Sequence, residues 1–160
     1  YSVDGKTDVN EWNYVPHNSK SIDGVISQNS KANGFRLPTV EEWQYAAKGG
    51  ENYTYSGSNN LDDVGWYNTY KGNEKFTYQI GLKKANGYGL VDMSGNVSEW
   101  CWDSYDDYER YACGGSWSYG KDECEVYSKN VYSPRKRWYD SYVEPYCYFL
   151  GFRIVRSTGK

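Results

Sequence analysis

Asn86-Gly-Tyr-Gly-Leu-Val-Asp-Met-Ser-Gly-Asn-Val-Ser-Glu-Trp-Cys101 decides how this chain is read. Two turn signals, Asn86-Gly87 and Ser94-Gly-Asn96, bracket a short apolar segment. Beyond the second turn come Glu99, Trp100 and Trp102, a tight bend that delivers large aromatics toward a core. Upstream, Thr39-Val-Glu-Glu42 is a capping box, with Pro38 at its entry and Gly49-Gly50 after its last turn. The spacing predicts a helix whose buried face carries Val40, Trp43, Ala46 and Ala47. After residue 50 no long amphipathic helix follows. Short segments alternate with turns at 57–60, 71–73, 86–87 and 94–96, and Gly151-Phe-Arg-Ile-Val-Arg156 reads as a terminal strand. A short helix within 12–30 is a weaker expectation. The pattern predicts a loop-rich α+β domain with short strands and few helices, a single domain over 1–160.

Composition narrows the function. Hydrophobic residues make up 38% of the 160-residue chain and aromatics 19%, so the core leans on Trp and Tyr. A net charge of −3 with mixed signs does not fit a nucleic-acid partner. Arg135-Lys136-Arg137 is a short basic cluster that reads as a solvated loop. No apolar run is long enough to span a membrane. The chain opens at Tyr1 without Met, which reads as a processed or trimmed piece of a longer protein. Cys101, Cys113, Cys124 and Cys147 show no CxxC spacing, and the single His17, in a polar stretch, leaves zinc or Cys-His chemistry poorly supplied.

More than half of the nineteen tyrosines fall after Cys101. The run Tyr139-Asp-Ser-Tyr-Val-Glu-Pro-Tyr-Cys-Tyr-Phe-Leu150 follows neither a period of 2 nor one of 3.6. Tyrosine offers a large, stiff apolar face with one polar handle, which suits surfaces built for varied targets. The tail thus reads as a recognition surface. The competing reading makes these tyrosines strand and core aromatics of an ordinary β-rich domain.

Four blocks occur in fixed order: Gly34-Phe-Arg-Leu-Pro-Thr-Val-Glu-Glu-Trp-Gln-Tyr-Ala-Ala-Lys-Gly-Gly50, the 86–101 segment, Gly114-Gly-Ser-Trp117 and Gly151-Phe-Arg153. Together they resemble the formylglycine-generating-enzyme (sulfatase-modifying factor) family over about residues 30–156, with 1–33 poorly matched. The resemblance implies a C-type-lectin-like fold. Within it, Trp43, Trp66, Trp100, Trp102 and Trp117 read as core. Gly114-Gly115 implies positive φ or close backbone approach. The family's oxidases bind copper through two cysteines after the GGS block. The second position matches Cys124, but the first is Tyr119, and Cys113 replaces the Arg before that block. A soft copper site needs both thiolates, so catalysis is not expected, and the copper oxidase of sulfatase cysteines stays as the alternative. No cofactor is required on this reading. The resemblance does imply a calcium site from the side chains of Asp92 and Glu99 with the carbonyls of Gly95 and Val97. The other reading of Asp92 and Glu99 is that they bond turn amides.

The C-terminal half also resembles the non-catalytic variable proteins of diversity-generating retroelements. There, adenine replacement in Asn codons yields residues such as Tyr, Ser, Gly, Asp, Cys, Phe, Leu and Val, but not Trp, Lys, Glu, Gln or Met. Ser118, Tyr119, Gly120, Tyr127, Val131, Tyr132, Tyr139, Asp140, Ser141, Tyr142, Tyr146, Tyr148 and Phe149 satisfy this filter and form the expected ligand-binding set within 101–156. Lys121, Glu123, Glu125, Lys129, Lys136, Trp138 and Glu144 fail it and read as framework. On the same reasoning Cys101 and Cys124 are framework, as a disulfide or buried thiols, while Cys147 and Cys113 are chance products left unpaired. The resemblance implies a cell-surface or extracellular binding protein for a macromolecular, protein-type ligand, with any membrane link through an anchor outside this chain.

Overall fold

The computed structural model describes residues 1–12, 25–29, 31, 33–69, 76–134 and 149–157. Its centre is a four-stranded sheet in the order β8 (Lys129–Tyr132), β7 (Arg110–Cys113), β6 (Ser98–Ser104), β9 (Leu150–Gly151). β6 (Ser98–Ser104) and β7 (Arg110–Cys113) pair antiparallel, with Glu99 opposite Cys113 and Trp100 opposite Ala112. The register then slips before Ser104 meets Arg110, a bulge in β6. β8 (Lys129–Tyr132) pairs antiparallel with β7, and β9 (Leu150–Gly151) runs parallel to β6. Three two-stranded pieces surround this sheet. β1 (Ser2–Val3) pairs with β2 (Ile26–Ser27), β3 (Phe35–Arg36) with β10 (Val155–Arg156), and β4 (Gly65–Trp66) with β5 (Ser94–Gly95).

Because side chains alternate along a strand, the central sheet has two distinct faces. Glu99, Cys101, Tyr111, Cys113 and Val131 share one parity in the register. Helix α1 (Val40–Lys48) covers that face, burying Val40, Trp43 and Ala47 beside Met93, Cys101, Cys113 and Val126. Trp43 is 1% exposed, and truncating a buried Trp to Ala costs about 3–5 kcal/mol. Ser98, Trp100, Ala112, Asn130 and Tyr132 take the other parity.

The expected helix forms with the expected ends. Thr39 Oγ1 accepts from the Glu42 amide, and Glu42 returns the bond to the Thr39 amide. Gly49 closes it in the left-handed region at φ 60°. Arg36, one strand earlier, grips Glu42 through two bonds of 2.6 Å, tying β3 to the helix N-terminus. A second short helix, α2 (Leu61–Val64), buries Leu61 and Val64 with Tyr55 and Cys124 in a separate cluster.

Two expectations change. The terminal strand over 151–156 is two strands: β9 adds to the central sheet, while β10 leaves it to pair with β3. Phe152 and Ile154, between them, face an apolar groove of about 430 Å³ that Tyr1, Trp12, Ile26 and Phe35 also line. Of the tryptophans read as core, Trp43 and Trp117 are buried, but Trp66, Trp100 and Trp102 are only half-buried. Trp66 stacks on Tyr78 at 4.0 Å, and Trp102 packs against Tyr1 and Arg110. The helix expected within 12–30 falls largely on residues outside the described set. Within the described part, Ile26–Ser27 is a strand.

Candidate functional site

The loop after β7 carries the Gly114-Gly-Ser-Trp117 block, and its backbone is over-determined. Gly114 and Gly115 have φ of 91° and 64°. A Cβ on Gly115 would lie 2.7 Å from Cys124 Sγ, and one on Gly114 would lie 3.0 Å from Trp43. Positive φ and close approach therefore both hold. The facing turn is Ser94-Gly-Asn96, where Asn96 adopts φ 63° and exchanges two side-chain bonds with the Tyr78 backbone. Gly95 N donates to Gly114 O, Trp117 N to Asn96 O, and Asn96 N to Trp66 O. Beyond Trp117, the amides of Asn68 and Thr69 donate to the carbonyls of Tyr119 and Trp117, and Tyr119 N donates to Ser116 O. Apart from those of the Asn96 side chain, these bonds run through backbone, and they fix the course of the chain at residues 117–119.

On this scaffold the structure gathers an aromatic cluster on the sheet face turned away from α1. The Tyr119 and Tyr132 hydroxyls lie 2.6 Å apart. The Phe149 ring meets Tyr119 at 5.5 Å and Tyr132 at 5.8 Å, and Trp100 meets Tyr132 edge-on at 6.0 Å. Burial, and then the bond to Tyr119, push the Tyr132 phenol above its ordinary range, so it stays neutral at physiological pH. Ser118 is half-buried beside Tyr119, its hydroxyl 2.9 Å from that of Ser116. Gly120 is exposed with ordinary φ, and an added Cβ would meet only the Glu123 carboxylate at 3.2 Å. The three glycines differ in kind: 114 and 115 cannot carry a side chain, and 120 can.

Not every expected contact residue joins the cluster. Phe149 is 9% exposed, a buried support under its neighbours and not a displayed side chain. Val131 takes the opposite parity to Tyr132 and faces the α1 side beside Tyr111. Tyr127 is 62% exposed but stands beside α1, where Gln44 donates to its carbonyl and Lys48 approaches its ring. Tyr139, Asp140, Ser141, Tyr142, Tyr146 and Tyr148 lie outside the described residues. So do His17, Arg135-Lys136-Arg137, Trp138 and Cys147. Trp100, read from the sequence as core, is half-buried and joins this cluster.

Cys101, Cys113 and Cys124 are all free and buried, in keeping with the buried-thiol reading of Cys101 and Cys124 and the unpaired reading of Cys113. Cys113 sits beside Cys101 in the core, their sulfurs 3.7 Å apart. Cys124 belongs to the other cluster, and burial pushes its thiol up to about 12. There it packs against Tyr55, Leu61 and Val64.

The calcium position also has a definite geometry. Glu99 is 6% exposed, and both its oxygens are taken: Arg153 donates from Nε to Oε2 and from Nη2 to Oε1 (2.7 Å), and Trp43 Nε1 donates to Oε2 at 2.7 Å. Asp92 Oδ2 accepts from Gly81 N at 2.7 Å, and its Oδ1 is buried with no partner. That orphan oxygen suits a cation. The Glu99 carboxylate, already neutralised by a guanidinium, does not. As arranged, these residues do not fit a calcium ion, and among the described residues no group of three or more His, Cys, Asp or Glu is placed to hold a metal.

A small curled sheet, few helices and long clamped loops define a C-type-lectin-like fold of the formylglycine-generating type. Residues 8–158 match the model of the sulfatase-modifying factor enzyme 1-like domain, and the chain belongs to that family. The chain is 39% identical over 138 residues to the chaperone protein LppX of Paenibacillus barcinonensis, covering 69% of this chain and 49% of that one. It is 41% identical over 81 residues to the formylglycine-generating enzyme of Mycobacterium tuberculosis, 42% of this chain and 26% of that one. Among solved structures, Treponema denticola variable protein 1 superposes with a TM-score of 0.64 at 37% identity, over 76% of this chain and 47% of that one. The chain thus spans about half the length, or less, of these relatives.

Proposed function

We propose that this chain is a non-catalytic display domain, a ligand-binding scaffold whose site residues are diversified while the fold stays fixed. The observation that carries the reading is the separation at residues 117–120. Backbone bonds hold the loop from both sides, while the Tyr119 side chain lies in the half-buried cluster with Tyr132 and Phe149 and Gly120 is exposed. Tyr119 and Tyr132, with Trp100 beside them, offer a stiff amphipathic surface that a protein ligand would bury as anchors. The likeness to a variable protein supports this. So does the chemistry. Tyr119 stands where a copper thiolate would be needed, and Cys124 is sealed in the core. On this reading the protein works at a cell surface or outside the cell.

Two measurements test it. The DNA flanking the gene should carry a reverse transcriptase and a near-copy of the segment encoding 118–150, differing at adenines. Finding neither overturns the retroelement part. Incubation with copper and a cysteine-containing sulfatase peptide should leave the cysteine unchanged by mass, and conversion to formylglycine overturns the non-catalytic part.

A further inference from the structure

Cys101 and Cys113 are 0% and 1% exposed, and their sulfurs approach to 3.7 Å across adjacent antiparallel strands. Register explains the approach. Cys113 pairs with Glu99, and Cys101 is two residues further along the same face of β6, a diagonal neighbour of Cys113 at the start of the register slip that follows Trp100. A disulfide has its sulfurs about 2.05 Å apart and tolerates only a narrow range of Cα separations. Closure draws two thiols that already touch about 1.7 Å closer together. Cys124 lies in the cluster of Tyr55, Leu61 and Val64.

We propose that Cys101 and Cys113 form a disulfide linking β6 to β7 when the chain folds under oxidising conditions, with a small-molecule disulfide such as oxidised glutathione as the electron acceptor. One thiolate attacks the acceptor and expels a glutathione thiolate, leaving a mixed disulfide. The second thiolate attacks the protein sulfur and expels the other glutathione. The S–S bond replaces two S–H bonds, two protons go to solvent, and two electrons reduce the acceptor to two thiols. In the finished fold the thiols are shielded by α1, and the hydrogen bond to Cys113 followed by burial pushes the Cys101 thiol far up. Thiolate is the reactive form, so the crosslink belongs to the folding chain. Once closed it is equally shielded from reductant. It pins the hairpin that supplies Trp100 to the display face, together with the exposed 104–109 turn bearing Tyr105 and Tyr108.

The test begins with denatured, reduced protein refolded in a reduced/oxidised glutathione mixture, then denatured, alkylated and mapped by peptide mass. The expected result is a peptide linking Cys101 to Cys113 that dithiothreitol converts into two separately alkylated peptides. The oxidised protein should melt about 5–10 °C above the reduced one. Native reduced protein in the same mixture should acquire the link at least about tenfold more slowly. Cys101→Ser and Cys113→Ser should each lose the link and show a melting temperature indifferent to oxidant. Absence of the 101–113 peptide from the refolded wild-type protein overturns the proposal, as does linkage of either cysteine to Cys124 or Cys147.

Discussion

Replacing Arg153 with Met tests whether the Glu99 carboxylate is a fixed part of the core. Arg153 makes a two-pronged contact to Glu99 and a further bond to Val91 O at 3.3 Å. Its side chain is 24% exposed, while that of Glu99 is 8% exposed. Removing one partner of a buried pair leaves an uncompensated charge and costs about 3–5 kcal/mol. The residual exposure of Arg153 admits some water, which lowers the expected loss to about 2–4 kcal/mol. For a domain of this size that corresponds to a melting temperature lower by about 5–15 °C. Glu99→Gln in the Arg153→Met background keeps an acceptor for Trp43 Nε1 while removing the charge, so the double variant should recover about 1–3 kcal/mol relative to the sum of the singles. Urea unfolding of all four proteins, with slopes checked for constancy, reads out the cycle. A loss below about 1 kcal/mol for Arg153→Met, or strict additivity, refutes a buried, mutually dependent pair.

Other outcomes follow from the same geometry. Phe149→Ala should cost about 3 kcal/mol in urea unfolding, as expected for a buried aromatic, whereas Tyr127→Ala should stay within about 0.5 kcal/mol. The reverse ranking would return Phe149 to the displayed set. The bond from Arg36, with the capping bonds of Thr39, holds the Glu42 carboxyl down at about 2. A depressed carboxylate contributes stability above its unfolded value near 4.5 and loses it as pH falls toward 2. Glu42→Gln should therefore flatten the loss of stability on acidification between those values, measured as melting temperature against pH. Chelation of divalent cations should leave the melting temperature unchanged, because Arg153 already neutralises Glu99. A fall on adding chelator that calcium restores would refute that geometry. Gly115→Ala should abolish cooperative unfolding or cost more than about 2 kcal/mol, since its Cβ would meet Cys124 Sγ at 2.7 Å at φ 64°.

Local devices were legible in the sequence, and juxtapositions were not. The α1 capping box and its glycine stop are written within eleven residues, and the chain obeys them. Gly114-Gly115 announced a backbone requirement, and both the torsions and the Cβ clearances meet it. Glu99 and Arg153 stand 54 positions apart, so nothing local foretold that the carboxylate would be spoken for. The Cys101–Cys113 contact lies where the register slips by two residues, and sequence periodicity does not report such a slip. The codon filter selected residue types and was blind to parity, which is why it admitted Val131 and Phe149 alongside Tyr132.

Alternation on β8 places a bookkeeping constraint on any future drift of this gene. Positions 130 and 132 share one face and positions 129 and 131 the other, where Val131 sits beside Tyr111, so replacement of one residue acts on one face at a time. Loss of a single codon before Lys129 would exchange the two sets, presenting Val131 to solvent and driving the Tyr132 hydroxyl toward the packed thiols. Point replacement leaves the phase of the strand intact, whereas a change of length scrambles it. A lineage that varies this surface can therefore rewrite letters freely but has to keep count.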